Sequence, residues 1–200
     1  MIAGLILAAG ESRRMGRDKA LLAYRGRTFL ENLIANLGAA GIAKITVVLG
    51  HHAEAIQRAV NLAAMRVVVN HEYQRGQTSS LQLGLAALAA DQPEAATLCL
   101  VDHPAISAEV IRKLTERFES THPPVIIPTY QGQRGHPIVI SQPLFPELLA
   151  LDPDQPANTV IRKYRGATQF VEVADPGILL DVDDPGDYER LMESGSPGTK

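Results

Sequence analysis

Apolar runs rich in β-branched residues recur along the chain: "IAGLILAA" from Ile2, "KITVVLG" from Lys44, "MRVVVN" from Met65, "ATLCLVD" from Ala96 and "PVIIPTY" from Pro124. None alternates cleanly between apolar and polar residues, so each reads as a strand buried on both faces. Helical spacing fills the gaps, as in Leu30, Leu33, Ile34 and Leu37, or Leu81, Leu85 and Leu88. Strands covered on both sides, alternating with helices, predict an α/β fold. Its mostly parallel, Rossmann-like central sheet is flanked by helices. In such sheets ligands gather at the carboxyl ends of the strands.

The rhythm changes in the last third. "GHPIVIS" and "TQFVEVAD" read as short strands outside the main repeat, and helices are expected at "QPLFPELLA" and "ANTVIRKY". "GILLDVDDPGDYERLMES" predicts a strand, a turn and a final helix beginning near Pro185. At 200 residues and 46% hydrophobic, the chain can build one substantial core. A single domain is expected over residues 1–194. Residues 195–200, "GSPGTK", read as a flexible tail.

Charge and cysteine content narrow the function. A net charge of -3 and a pI near 6.1 create no basic field for nucleic acid. The single cysteine, Cys99, sits in an apolar run and suits a reducing compartment, as a core residue rather than a nucleophile. The N-terminus is apolar first and basic afterwards, the reverse of a secretory signal, and no apolar run reaches the roughly 18 residues that span a bilayer. These features point to the cytoplasm, without membrane attachment.

One stretch departs from stability logic. "LILAAGESRRMGRDKALL", Leu5 to Leu22, places Gly10, Gly16, Arg13, Arg14 and Lys19 directly after the first apolar run. Backbone N–H groups freed by the glycines can close around phosphate oxygens while the cations neutralise them. The loop lacks both the GKS/T of a P-loop and the GxGxxG of a dinucleotide fold. An NAD-dependent oxidoreductase is disfavoured on that ground.

Carboxylates complete the pattern. Asp102 ends the run "LCLVD" before Pro104, and a carboxylate at a strand's carboxyl end is a hard oxygen ligand suited to Mg2+. Ser107 is the better cap for the helix that follows. In "LLDVDDP", Asp181 and Asp183 fall two apart on the expected strand, hence on one face. Such carboxylates repel unless a cation neutralises them. "NHEYQRGQTSSLQLGL" leads into a helix that Thr78 or Ser79 would cap. His51, His52, His71 and His122 have no partners at zinc-site spacing.

"LAAGESRRMGRDKALL" resembles the LAAGxSxRMGxxKxLL signature of MobA-like nucleotidyltransferases, most closely the molybdenum cofactor cytidylyltransferases. That resemblance implies the nucleotide-diphospho-sugar transferase type of fold, with a small β/α elaboration on the substrate side. It implies that Leu7, Ala8, Ala9, Gly10, Gly16 and Lys19 meet the nucleotide, and that Arg14, Lys19 and Asp102 are catalytic. Gly76, Gln77, Ser79 and Ser80 would line the base and ribose, and Gly135, His136 and Pro137 would lie near the acceptor. Asp102 and Asp181 would hold Mg2+, with Asp183 the other candidate. Asp187 would sit in the first turn of the last helix. Arg13 falls on a variable position and takes no role.

His103 stands where the family's DxP pattern commonly has glutamine, and Asp184 and Gly186 depart from its DIDTPEDY element. The substrates implied are CTP and molybdopterin, yielding molybdopterin cytosine dinucleotide and pyrophosphate. Transient contact with recipient molybdoenzymes is implied too. Another NTP, GTP above all, and a sugar or alditol phosphate acceptor are the alternatives. A non-catalytic nucleotide-binding regulator is the rival of a different class.

Overall fold

In the computed structural model, which describes residues 1–195, the run from Ile2 forms β1 (Ile2–Ala8) and is buried along its whole length. A small hairpin, β2 (Ala23–Tyr24) and β3 (Arg27–Thr28), leads into α1 (Phe29–Ala39). Next come β4 (Ile45–Leu49), α2 (Ala53–Ala59), β5 (Arg66–Val69), α3 (Gln77–Leu88) and β6 (Ala95–Leu100). The chain continues through α4 (Ala108–Thr121), β7 (Val125–Tyr130), β8 (Gln133–Arg134) and β9 (Ile138–Ser141). It closes with α5 (Phe145–Leu149), α6 (Asn158–Lys163), β10 (Gln169–Glu172) and α7 (Pro185–Gly195). Residues 196–200, most of the expected tail, lie outside the described residues, and Gly195 ends α7.

One eight-stranded sheet runs in the order β10-β7-β9-β6-β1-β4-β5, with β8 pairing β7. β1 is parallel to β4 and β6, β4 to β5, and β7 to β10. β9 is antiparallel to both β6 and β7. This corrects the expectation that "GHPIVIS" lies outside the main repeat. The chain doubles back through β8 and inserts β9 in the sheet, where Val139 packs into one face of the core and Ile140 into the other. A strand with two buried faces belongs inside a sheet, and β10 takes the edge beyond β7.

Alternation along β1 feeds both layers. Ile2, Ile6 and Ala8 join the layer under α1, α2 and α4, with Leu33, Ile56 and Phe118. Ala3, Leu5 and Leu7 join the layer under α3, α5 and α6, with Leu85, Leu148 and Val160. Full burial of each leucine, isoleucine, valine or phenylalanine among them contributes roughly 1.5–3 kcal/mol. Thr28 and Glu31 form a reciprocal capping box that starts α1, and Ser107 accepts a hydrogen bond from Val110 N–H to start α4.

Two local expectations are corrected. Residues 180–183 form no strand: a 3-10 turn spans Pro176–Leu179, and the chain beyond it contributes a single ladder-like bond, Val182 N–H to Asp102 O at 2.8 Å. Asp175 holds that turn by accepting from Gly177 N–H, which leaves the segment crossing the end of the sheet rather than pairing within it. Neither Thr78 nor Ser79 caps α3. Gly76 does, at φ +106, a conformation that side chains resist.

A third apolar cluster ties the chain's two ends together. Met15 from the glycine loop packs with Leu22, Tyr24, Phe29, Val182 and Leu191. Tyr188 Oη adds a hydrogen bond to Ala23 O at 2.8 Å. Among the described residues no helix is long and apolar enough to cross a membrane.

Candidate active site

The loop after β1 is held by its own backbone. Ser12 sits at φ +52, and its carbonyl accepts from Met15 N–H and Gly16 N–H, both at 3.0 Å. Ser12 Oγ accepts from Lys19 N–H at 3.1 Å. Buried Met15 anchors the tip, so Arg14 and Lys19 leave the loop in fixed places. Arg13 is exposed and, among the described residues, pairs with Glu11.

Lys19 is the centre of the site. Its side chain is 12% exposed; Nζ lies 2.7 Å from Asp183 Oδ1 and 3.6 Å from Asp102 Oδ2. The exposed Arg14 guanidinium reaches Asp183 Oδ2 at 2.7 Å. Hydrogen bonding from Lys19, followed by its charge and the contact with Arg14, holds the Asp183 carboxyl below its usual range. Asp183 therefore stands ionised between two cations.

Asp102 lies two residues beyond β6, in a turn rather than on the strand itself. Its Oδ1 is buried and has no hydrogen-bond partner. An orphaned carboxylate oxygen beside a second carboxylate fits a hard divalent cation well. Asp181 is exposed and makes no ion pair with Lys19 or Arg14 within the described residues, although its charge reaches His103. The same-face argument for Asp181 and Asp183 assumed a strand, and the chain there is not one. Asp187 lies in the first turn of α7, as expected, and accepts from Asp183 N–H and Asp184 N–H at 2.8 and 3.0 Å.

Of these groups Lys19 and Asp102 line a cavity of about 240 Å³, with Leu7, Ala8, Ala9, Gly10, Gly76, Gln77 and Ser80, while Arg14, Asp181 and Asp183 stand outside its lining. Gly16 shapes the loop without lining it. Ser79 also stands behind the wall: its Oγ donates to Gly76 O at 2.8 Å and accepts from Asn70 Nδ2 at 2.9 Å. Asn70 Nδ2 likewise reaches Ser80 Oγ at 2.9 Å, so one buried amide braces the start of α3. Sequence reasoning missed Asn70, Ser12 and Tyr73, which also line or support the cavity. The turn signal at "NHE" after the half-buried edge strand β5 is what could have marked Asn70.

A second cavity of about 370 Å³ shares Leu7, Gln77 and Leu100 with the first and adds Arg134, Gly135 and His136. Pro137 follows His136 but does not line it. A Cβ at Gly135 would collide with Ile178 O, and His136 N–H donates to that same carbonyl at 3.0 Å. His136 thus enters the cavity from a backbone pressed against its neighbour. Its ring stacks on His103 with centroids 4.7 Å apart. Burial, then the charge on His103, pushes His136 down to about 4. Burial also lowers His103, against the opposing pull of Asp102 and Asp181. Burial thus favours the neutral form of both imidazoles, and Nδ1 of each is buried without a partner. Cys99 is remote from this chemistry: burial pushes its thiol up to about 12.

The cavity lies at the carboxyl ends of the strands, with the glycine loop, Lys19 and Asp102 in its wall. The MobA-like NTP transferase domain matches residues 4–168. The chain belongs to that family. Asp183 and α7 lie beyond the matched segment.

Relatives extend the likeness to nearly the whole chain. It is 31% identical to the nicotine blue oxidoreductase of Paenarthrobacter nicotinovorans, over 96% of each chain. It is 29% identical to the molybdenum cofactor cytidylyltransferase of Escherichia coli, over 94% of each. The crystal structure of Rv0371c from Mycobacterium tuberculosis superposes with a TM-score of 0.85 at 31% identity, covering 96% of this chain and 97% of that one. The same protein has been solved in complex with manganese, matching at a TM-score of 0.81. The fold and family are therefore those of the MobA-like nucleotidyltransferases, in a mixed, mostly parallel sheet.

Proposed function

We propose that the protein transfers CMP from CTP to the phosphate of a molybdopterin-type acceptor, giving molybdopterin cytosine dinucleotide and pyrophosphate. The observation that carries this reading is Lys19, poised between Asp102 and Asp183 at a cavity that shares Leu7, Gln77 and Leu100 with a second one. The acceptor phosphate oxygen attacks the α-phosphorus in line, and the bond to pyrophosphate breaks. No protein nucleophile is needed.

Lys19 and Arg14 counter the charge that builds toward the leaving pyrophosphate, and the loop from Ala8 to Gly10 holds the phosphates by backbone N–H groups. Asp102 would hold Mg2+ or Mn2+, with the second carboxylate drawn from Asp181 and Asp183. Asp183 is favoured by its contact with Lys19 at 2.7 Å, and the orphaned Oδ1 of Asp102 supports the site as a whole. Such a cation supplies charge neutralisation and alignment of the phosphates. When a nucleotide enters, its phosphates replace Asp183 as partners of Lys19 and Arg14.

The second cavity favours a pterin over a sugar phosphate. Leu81, Leu98, Leu100, Ile127, Ile138 and Ile140 form much of its wall, which suits the apolar faces of a flat ring, while Gln77, Arg134 and Asn158 are on hand for the polar edge of such a ring. An oxidoreductase reading is suggested by the name of one relative. Against it, the loop lacks GxGxxG spacing, and hydride transfer has no use for a lysine between two carboxylates.

The test is pyrophosphate release with molybdenum-loaded molybdopterin, comparing CTP, GTP, ATP and UTP under Mg2+ and Mn2+, with Asp102→Ala as control. CTP turnover lost in the variant supports the reading. GTP turnover alone overturns the base assignment. NADH oxidation without pyrophosphate release overturns the transferase chemistry.

A further inference from the structure

β10 is the sheet's edge beyond β7, and Phe170 on it pairs in register with Ile127 of β7. Directly paired residues share a face, so Phe170 stands on the same face as the aliphatic wall of the second cavity. It is 44% exposed, one of few large apolar side chains left so open among the described residues. Arg134 lies over it, with the guanidinium carbon 4.6 Å from the ring centroid. Arg134 also lines the second cavity, and within the described residues its side chain has no ion pair or hydrogen bond. A cation with one face seated on an aromatic ring has its other face and its N–H edge available.

Position decides what this cation can touch. The residues shared by the two cavities, Leu7, Gln77 and Leu100, mark where an acceptor's phosphate would meet the nucleotide. β8 continues the line of β9 beside β7, two strand spacings from β1, or roughly 10 Å. Arg134 is therefore placed for the body of the acceptor, not for its phosphate. His136 beside it is uncharged at neutral pH, so Arg134 carries the only full charge in that wall among the described residues.

We infer that Arg134, held flat on Phe170, is a specificity-determining residue that stacks on a planar heteroaromatic part of the acceptor. This rests on the acceptor reading above. A flat, electron-rich ring meets both the aliphatic wall and the guanidinium face. A sugar ring offers neither match.

The experiment is equilibrium titration of the full chain with neopterin monophosphate, followed by pterin fluorescence, alongside glucose 1-phosphate and CTP. Arg134→Ala is expected to weaken the pterin by about tenfold or more, Phe170→Leu by a lesser factor of about three, and neither to change CTP affinity. Arg134→Lys keeps the charge and loses the plane, so it should resemble Arg134→Ala. Full retention of pterin affinity in Arg134→Ala overturns the inference while leaving the pterin reading intact. Full rescue by lysine overturns stacking in favour of simple charge. An equal loss of CTP affinity shows a merely structural role. Wild-type protein that binds glucose 1-phosphate and not the pterin defeats the acceptor reading and this inference together.

Discussion

The two cavities share a wall and differ in how they are built. At the first, the cations are already engaged: Lys19 and Arg14 converge on Asp183, and Asp102 stands 3.6 Å from Lys19 with one oxygen unpartnered. In the second, aliphatic side chains dominate, the imidazole of His136 is neutral, and Arg134 has only an aromatic ring beneath it. The first is a site whose ligand must exchange partners with the protein. The second is one whose ligand must fit a shape.

The largest effect expected from that contrast is at Lys19. Lys19→Ala should lower kcat by about 10²–10³-fold, or about 2.7–4 kcal/mol, as for loss of an oxyanion donor. Pyrophosphate release at saturating CTP measures it, and activity above a tenth of wild type would break the assignment of charge stabilisation to this residue. Gly135→Ala comes next, because its Cβ must displace the Ile178 backbone. A stability loss of about 1–3 kcal/mol is expected by denaturant titration. In steady-state assays the KM for the acceptor should rise while that for CTP holds.

Asp183→Asn sharpens the contrast from the other side. With the competing carboxylate neutralised, metal-free CTP should bind more tightly by about two- to fivefold, the range set by a partly exposed ion pair of under 1 kcal/mol. Isothermal titration in chelator measures it, and weaker binding would show that Asp183 does not compete with phosphate.

The smallest effect is on acid stability. The folded state holds the Asp183 carboxyl below its ordinary value of 3.8, so the fold prefers the ionised form. That stabilisation is complete above the ordinary value and disappears as pH falls below it through the folded value. Wild type and Asp183→Asn should accordingly converge in stability below about pH 3.8, by a small amount given that the side chain is 32% exposed. Acid titrations of unfolding that run parallel throughout would remove Asp183 from the account.

Much of the first cavity was legible because it is local. The glycine loop, Lys19 and Asp102 each follow a strand whose apolar run is plain, and Gly76 to Ser80 precede a helix with clear spacing. The second cavity was less so. Gly135 and His136 were found through resemblance, in a segment that includes Arg134, but the seat of Arg134 on Phe170 depends on β10 lying beside β7, a pairing no local pattern encodes. β9 was misjudged for the same reason: "PIVI" signals a buried strand but not which strands flank it. The carboxylates at Asp181 and Asp183 show a different failure. Period-two logic holds only on a strand, and Asp175 with Gly177 turns the chain away from the sheet before it can form one.

Met15 packing against Val182 and Leu191 has a consequence for biosynthesis. On a nascent chain, β1, β4 and β6 can pair long before Val182 leaves the ribosome, yet until it does Met15 has only Leu22, Tyr24 and Phe29 of its cluster to pack on. The phosphate-binding residues come early in translation and part of their anchor comes last, a closure over more than 160 residues. An incomplete chain would therefore own a sheet without a working catalytic charge cluster, and ligand competence would be the final property acquired.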